Sequence, residues 1–253
     1  MNVQRVALLG VALLALAACG KTDDPGYQGW VEADLIFVSP DEVGRVETLS
    51  VREGDAVEKG APLFTVDPDL QQSDVEMAKA SVTNATQAYE RAQTLLKTLA
   101  GTPKTVEDAE ATLRTAQARL ASAQTRLARR KASSPVTGSV QQIYYRPGEL
   151  VPAGRPVVSL LPPGNIKIRF FVPETVLPSV ALGEAVTIHC DGCKTDVTAK
   201  VTFISRTSEF TPPVIYSLDE RSKLVFLIEA RTDTPGELRV GQPVDVRFSE
   251  FRK

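Results

Sequence analysis

The sequence predicts an α+β chain in which one small β-domain is split by an antiparallel coiled-coil hairpin and followed by a second β-domain. Three observations predict it. A Gly-punctuated stretch of alternating residues occurs twice, two unbroken heptad seams lie between the copies, and alternating strands resume after the second copy. The 253 residues, 43% apolar and 24% charged, suit one large domain or a few small ones. Twenty-nine basic against 31 acidic residues give a net charge of −2. That balance excludes the electrostatic footprint of a nucleic-acid binder. A single His and three Cys leave little material for a zinc enzyme or a His-based triad.

The first element is a leader. Arg5 supplies a short positive region, and Val6 to Ala18 is an apolar run too short to span a bilayer, which takes roughly 20 residues, but suited to a signal peptide over residues 1–18. It ends Leu16-Ala17-Ala18-Cys19-Gly20. Small residues before a Cys resemble a bacterial lipobox, which makes Cys19 the expected lipidation site, and several acyl chains anchor where one would be marginal. Residues 19–28 are polar with Pro25 and Gly26 and read as a tether. The expected location is the periplasm, with a lipid anchor in the inner membrane. Gly20 stands where many enteric lipoproteins carry the Asp that retains them there.

The repeat follows. At a constant offset of 94, Gly44 matches Gly138, Val46 matches Val140, Arg52 matches Arg146, and Gly54, Val57, Gly60 and Pro62 match Gly148, Val151, Gly154 and Pro156. Alternation punctuated by Gly means short strands with tight turns. Each copy is too small to hold a core, so the two are expected to pack together.

Between them, Val75, Ala78, Val82, Ala85, Tyr89, Ala92, Leu96 and Leu99 step by three and four. Past Gly101-Thr102-Pro103, the residues Val106, Ala109, Leu113, Ala116, Leu120, Ala123 and Leu127 do the same. Two such seams joined by a Gly/Pro turn predict an antiparallel coiled-coil hairpin. Large residues alternate with Ala, which allows close approach. Arms of about 30 residues project on the order of 45 Å.

From Ile166 the alternation returns, in Ile166 to Phe170, Val197 to Val201 and Val244 to Phe248, with an apolar run at Val225 to Ile228. Strands at this spacing predict a small barrel or sandwich. Thr175 to Ala181 is read as a single helical turn.

This nested order resembles the periplasmic adaptor proteins, also called membrane fusion proteins or the HlyD family. The residues carrying the resemblance are Gly44-Arg45-Val46, Glu53-Gly54-Asp55-Ala56-Val57 to Gly60, and Ser134-Pro135-Val136-Thr137-Gly138. Ile204 to Pro212 and Arg239-Val240-Gly241-Gln242-Pro243-Val244 look like adaptors that serve ABC-type exporters. The resemblance implies a lipoyl-like β-domain whose halves, residues 29–67 and 133–162, flank an α-helical hairpin at 68–132, followed by a small β-barrel domain at 163–253. It implies a non-enzymatic subunit of an efflux or secretion system. Its partners would be an inner-membrane transporter of ABC permease/ATPase type, a TolC-type outer-membrane channel, and copies of itself in a hexameric ring.

A true lipoyl or biotinyl carrier is not expected. Its Lys would sit where the halves join, but Val66-Asp67-Pro68-Asp69 has none, and Lys59 and Lys79 fall in another turn and in the helix. No cofactor is expected. Adaptors that dock on TolC-type channels carry Arg, Leu four residues on, and Ser seven after that. Arg91, Leu95 and Thr102 stand at those spacings, with Thr for Ser. The alternative is a solvated helix charge, a residue flanking the seam and a turn or cap residue.

Cys190-Asp191-Gly192-Cys193 is the other candidate, since Asp-Gly is a strong two-residue hairpin turn. An oxidising compartment favours a Cys190–Cys193 disulfide, although so short a loop gains little from closure. Free thiols, or a metal or redox site that would make the chain an envelope lipoprotein of another kind, stay open. A redox thiol would want a helix N-terminus and zinc a further ligand from elsewhere. His189 has no second His and no nucleophile in an evident turn, so no catalytic residue and no metal ligand set is assigned.

Overall fold

The two sequence copies fold as two interlocked copies. The structure is a computed structural model that describes residues 26–193, 195–210, 224–232 and 238–248. Cys19, the leader and most of the tether lie outside these residues. The chain divides into two units, residues 33–165 and residues 1–32 with 166–253. After β1 (Tyr27–Ala33), which belongs to the second sheet system below, come β2 (Ile36–Val38), β3 (Gly44–Leu49), β4 (Ala56–Val57) and β5 (Pro62–Val66). Past the helices come β6 (Lys131–Ser133), β7 (Gly138–Ile143), β8 (Leu150–Val151) and β9 (Val158–Leu161). One four-stranded sheet has the order β2-β9-β7-β4 and the other β6-β5-β3-β8.

The short strand of each copy therefore pairs in the sheet of the other. The exchange is reciprocal down to single hydrogen bonds. The Val46 amide donates to the Glu149 carbonyl at 2.9 Å, and its counterpart Val140 donates to Asp55 at 2.9 Å. Gly148 donates to Val46 at 2.8 Å, and Gly54 to Val140 at 2.9 Å. Gly54 and Gly148 sit at φ +91 and +95, a region closed to most side chains. Each opens an equivalent turn in which an acid bonds back, Asp55 to the Arg52 amide at 2.8 Å and Glu149 to the Arg146 amide at 2.9 Å. Val46, Leu63, Phe64, Val66 and Val140, Val151, Val157, Leu160 form one core.

The insert is two helices, α1 (Asp69–Lys97) of 29 residues and α2 (Pro103–Ala128) of 26, packed against each other. At 1.5 Å per residue the longer is about 43 Å. Every seam residue named above is buried or half-buried, with one exception. Leu99 lies past the end of α1, is 95% exposed and does not belong to the seam. The hairpin is also shorter than 68–132, because Lys131 and Ala132 already pair in β6.

The second unit is a barrel of β1, β10 (Ile166–Pro173), β11 (Ala185–His189), β12 (Val197–Phe210), β13 (Leu224–Arg231) and β14 (Pro243–Phe248). The strands close in the order β1-β10-β13-β12-β11-β14. Ile168, Phe170 and Val172 alternate inward, fully buried, with Val31, Ile188, Ile228 and Val246. A 3-10 turn at Leu177–Ser179 stands where the helical turn is expected. The barrel's first strand corrects the expected boundaries. Residues 27–32 are neither tether nor part of the first half-domain, because Tyr27 to Trp30 register with Val246 to Pro243. On the other side of β1, Gly29 lets the strand lie close to β10, since a Cβ there would collide with the Arg169 carbonyl.

Gly44 is tight for another reason. A Cβ at Gly44 would collide with Val66 Cγ1 and approach Arg130 Nη1 to 2.7 Å. Gly44→Ala is expected to destabilise the protein by about 1–3 kcal/mol through overpacking. Gly164→Ala, with open space around it, should stay within about 0.5 kcal/mol of the parent. Thermal unfolding of the two variants checks the difference.

Candidate functional site

The distal turn of the hairpin is the first candidate. Helix α1 ends in a reciprocal pair of bonds, Ala100 N–H to Leu95 O at 2.9 Å and Leu99 N–H to Leu96 O at 3.1 Å. That is the Schellman pattern, which satisfies carbonyls the helix end leaves free. Gly101 lies close against the last turn, where a Cβ would come within 3.0 Å of the Leu96 nitrogen. Thr102 then starts α2 as its N-cap. Its hydroxyl accepts from the Thr105 amide at 3.3 Å, while the Thr105 hydroxyl accepts from the Thr102 amide at 3.3 Å. Pro103 occupies the first turn, where a missing N–H costs nothing.

Arg91 and Leu95 share one face of α1 at a spacing of four. Arg91 is exposed, and Leu95 is 49% exposed. Among the described residues no carboxylate pairs with Arg91, and no hydrogen bond joins Arg91, Leu95 and Thr102. The three share one end of the hairpin. Thr102, however, already has a structural task as cap.

The cysteines are bonded, with Cα atoms 5.4 Å apart. Their setting differs from a two-residue hairpin. Strands β11 and β12 register as far as Ile188 with Val197, β11 ends at His189, and the Asp191-Gly192 turn sits inside the connection at 190–196. Gly192 is at φ +81, and the Cys193 amide donates to Cys190 O at 3.1 Å. The turn is thus closed by its backbone as well as by sulfur. Cys190 is buried, and the Gln242 amide nitrogen lies 3.8 Å from Cys193 Sγ. His189 Nδ1 meets Asp196 Oδ1 at 2.8 Å, both about half exposed. Among the described residues no group of three or more His, Cys, Asp or Glu is arranged to hold a metal.

Sequence reasoning missed the base of the hairpin. Arg130, its side chain 9% exposed, donates to Val43 O at 3.0 Å and to Glu42 at 3.1 Å. The Gln71 amide donates to the same Glu42 oxygen at 3.0 Å. Helix ends α1 and α2 are thereby tied to the β2–β3 loop of the sandwich, with Arg129–Asp41 at 3.0 Å beside them. A buried Arg just past a predicted helix is a signal that burial alone reveals. The barrel has its own cluster, Arg169 between Glu32 at 2.9 Å and Glu229 at 3.5 Å and 5.8 Å from the Trp30 ring.

The cap can be separated from any contact role. Thr102→Ala should cost about 1 kcal/mol of stability, and Thr102→Asp should recover most of it, because Asp caps as well as Thr. Circular-dichroism melts report this without a partner present.

Comparisons with known proteins bear on this arrangement. Residues 36–161 match the family model described as RND MFP, barrel-sandwich hybrid domain. A membrane protein of Acidithiobacillus ferridurans, "UPF0194 membrane protein in asrC 5'region", is 33% identical over 117 residues, 46% of this chain and 35% of the relative. The chain thus spans about a third of the length of the curated relatives it matches. A MacA-MexA chimeric protein containing the Pseudomonas aeruginosa MexA α-hairpin domain has a TM-score of 0.73 at 21% identity, over 87% of this chain and 79% of that one. The membrane fusion protein Spr0693 of Streptococcus pneumoniae R6 has a TM-score of 0.69 at 17% identity, over 88% and 98%. These last two are likenesses of fold. With both halves of the sandwich and the hairpin between them inside residues 36–161, the chain belongs to the membrane fusion, or periplasmic adaptor, protein family.

Proposed function

We propose that this chain is the non-enzymatic adaptor subunit of an efflux or secretion system. It links an inner-membrane transporter of ABC type to a TolC-type outer-membrane channel and passes the transporter's motions between them. The observation that carries this reading is the hairpin: about 43 Å of closed helical seam set on the interlocked sandwich, with exposed Arg91 and Leu95 at its far end. A structure whose apolar seam is consumed in holding two helices together has reach as its product. The ABC assignment rests on the residues of Ile204 to Pro212 and Arg239 to Val244, of which Thr211 and Pro212 lie outside the described residues. Among the described residues no helix is long and apolar enough to cross a membrane. Membrane attachment in this reading comes from acylated Cys19.

Copies pack side by side in a ring, six in the family's pattern, through the lipoyl-like sandwich and the barrel. Head-to-tail contacts of this kind close when the rotation per subunit divides the circle. Energy comes from the ATPase partner. Co-purification of the lipidated protein with an ATPase-linked permease tests the assignment, and repeated absence of such a permease would leave an envelope spacer without a pump.

At the tip, Arg91→Glu with Leu95→Ser should reduce crosslinking to the outer-membrane channel tenfold or more and lower export in parallel, as truncation of an interface hot spot does. Unchanged crosslinking would remove both residues from the docking site. The rival reading, a metal-binding or redox lipoprotein centred on Cys190 and Cys193, predicts a different loss. Cys190→Ala with Cys193→Ala should leave export intact and cost no more than about 2 kcal/mol, since the loop is short. Loss of metal or redox activity with assembly intact would favour the rival.

A further inference from the structure

Leu99 is in the wrong place for a residue whose task is folding. Its φ is +59, and among the described residues it is the one non-glycine at positive φ, in company with eight glycines. An L-residue with a Cβ pays for that conformation in steric contact with its own backbone, which is why glycine usually fills this position of the Schellman turn. A leucine could recoup the cost by burial, but Leu99 is 95% exposed, the most exposed of the large apolar side chains described. Strain and exposure together leave its side chain without a role inside the hairpin, whose turn uses the Leu99 amide alone, bonded to Leu96 O.

The surroundings say what kind of surface would cover it. Residues 91–106 contain Arg91, Lys97 and Lys104 and no Asp or Glu. Lys104 bridges to Asp108 at 3.2 Å, and among the described residues no carboxylate pairs with Arg91 or Lys97. Leu95 adds a second, half-exposed apolar side chain one helical turn before Leu99. Glu90 and Glu107 border this stretch and Lys104 is paired, so the tip is a small apolar knob beside a short cationic collar made by Arg91 and Lys97 on α1. Membrane-binding elements spread a broad apolar face and favour Trp and Phe at the interface, whereas residues 91–106 contain no aromatic residue. A single side chain held on a fixed backbone suits a pocket, because it loses little freedom on binding.

We infer that Leu99 is the apolar anchor of the hairpin tip, entering an apolar pocket with an acidic rim on a partner protein. This rests on the adaptor reading, and it adds a residue outside the Arg91, Leu95 and Thr102 set. The left-handed backbone is what aims the side chain outward.

The inference requires stability and binding to move in opposite directions. The full lipidated chain in detergent is titrated against the purified TolC-type outer-membrane channel of the same bacterium, with thermal unfolding measured alongside. Leu99→Gly removes the strain and the side chain together. It should melt no lower than the parent and bind the channel at least tenfold more weakly. Leu99→Met, which keeps an apolar side chain, should bind within about threefold of the parent. Parent affinity should fall as salt rises, as expected for a cationic collar on an acidic rim, and salt-independent affinity would remove the rim from the inference. A lower melting temperature for Leu99→Gly would mean that Leu99 packs within the hairpin and would overturn the inference. Equal binding by parent and Leu99→Gly would overturn it while leaving the adaptor reading intact. A parent protein that fails to bind the channel would sink both. Vesicles of phosphatidylethanolamine and phosphatidylglycerol are the second probe: if Leu99→Gly loses vesicle binding and retains the channel, the contact is with lipid and the protein pocket is wrong.

Discussion

The reciprocal loan of one short strand is the constraint on which the first unit depends. Neither copy of the repeat could bury a core alone, since a few dozen residues expose too large a fraction of their surface. Strand β4 completes the sheet built on β7, and β8 completes the one built on β3. Once each copy needs the other, their separation along the chain ceases to matter. An insertion between β5 and β6 costs only the loop-closure entropy of a longer connection, which grows slowly with length. That tolerance is why some 60 residues of helix can stand between the halves of one domain.

A projecting hairpin is useful only if it is stiff at both ends, and the two ends solve this differently. At the base, Arg130 is drawn between Val43 and Glu42, and Gln71 from the opposite helix shares the same carboxylate. Gly44 has no side chain because the Arg130 guanidinium and Val66 occupy the space. Along the shaft, large residues and Ala alternate, with Ala85 and Ala116 among its most buried positions. Exposed ion pairs such as Glu76–Lys79 and Glu110–Arg114 contribute a few tenths of a kcal/mol each. Stiffness therefore comes from the seam and the base.

Most of this was legible wherever the signal was local. The 94-residue offset, the positive-φ glycines at its turns and the two seams all follow from residue spacing. What was not legible depended on distant partners or on the backbone. Strand β1 finds β14 more than 200 residues away, and nothing in Tyr27 to Trp30 announces the pairing. Leu99 continues the heptad spacing perfectly, yet the helix ends two residues earlier, because spacing describes side chains and not where a turn begins. Nothing in the sequence sets Arg130 apart from Arg126, Arg129 and Lys131 around it. The Asp191-Gly192 turn was read correctly as a turn but placed at the end of a ladder that stops at Ile188. Of the candidate sites, Arg91, Leu95 and Thr102 come from the resemblance to channel-docking adaptors, and the geometry adds that Thr102 serves as a cap.

Local rules agree with one another nearly everywhere in the hairpin turn. Thr102 caps, Pro103 opens α2, Gly101 fits against Leu95 and Leu96, and Lys97 lies in the last turn of α1, where the helix dipole favours a cation. Such consistency across levels is what specifies a fold, and its isolated failures tend to mark function or strain. Leu99 is the failure here. Glycine at that position would satisfy the backbone and remove an apolar side chain from water, so folding alone favours losing the leucine on both counts. Its presence in a turn otherwise built for stability points outward, to a contact made beyond the chain. The physical reading of the hairpin thus ends at its tip: the seam and base fix where the turn is, and the one residue that opposes folding is the one displayed there.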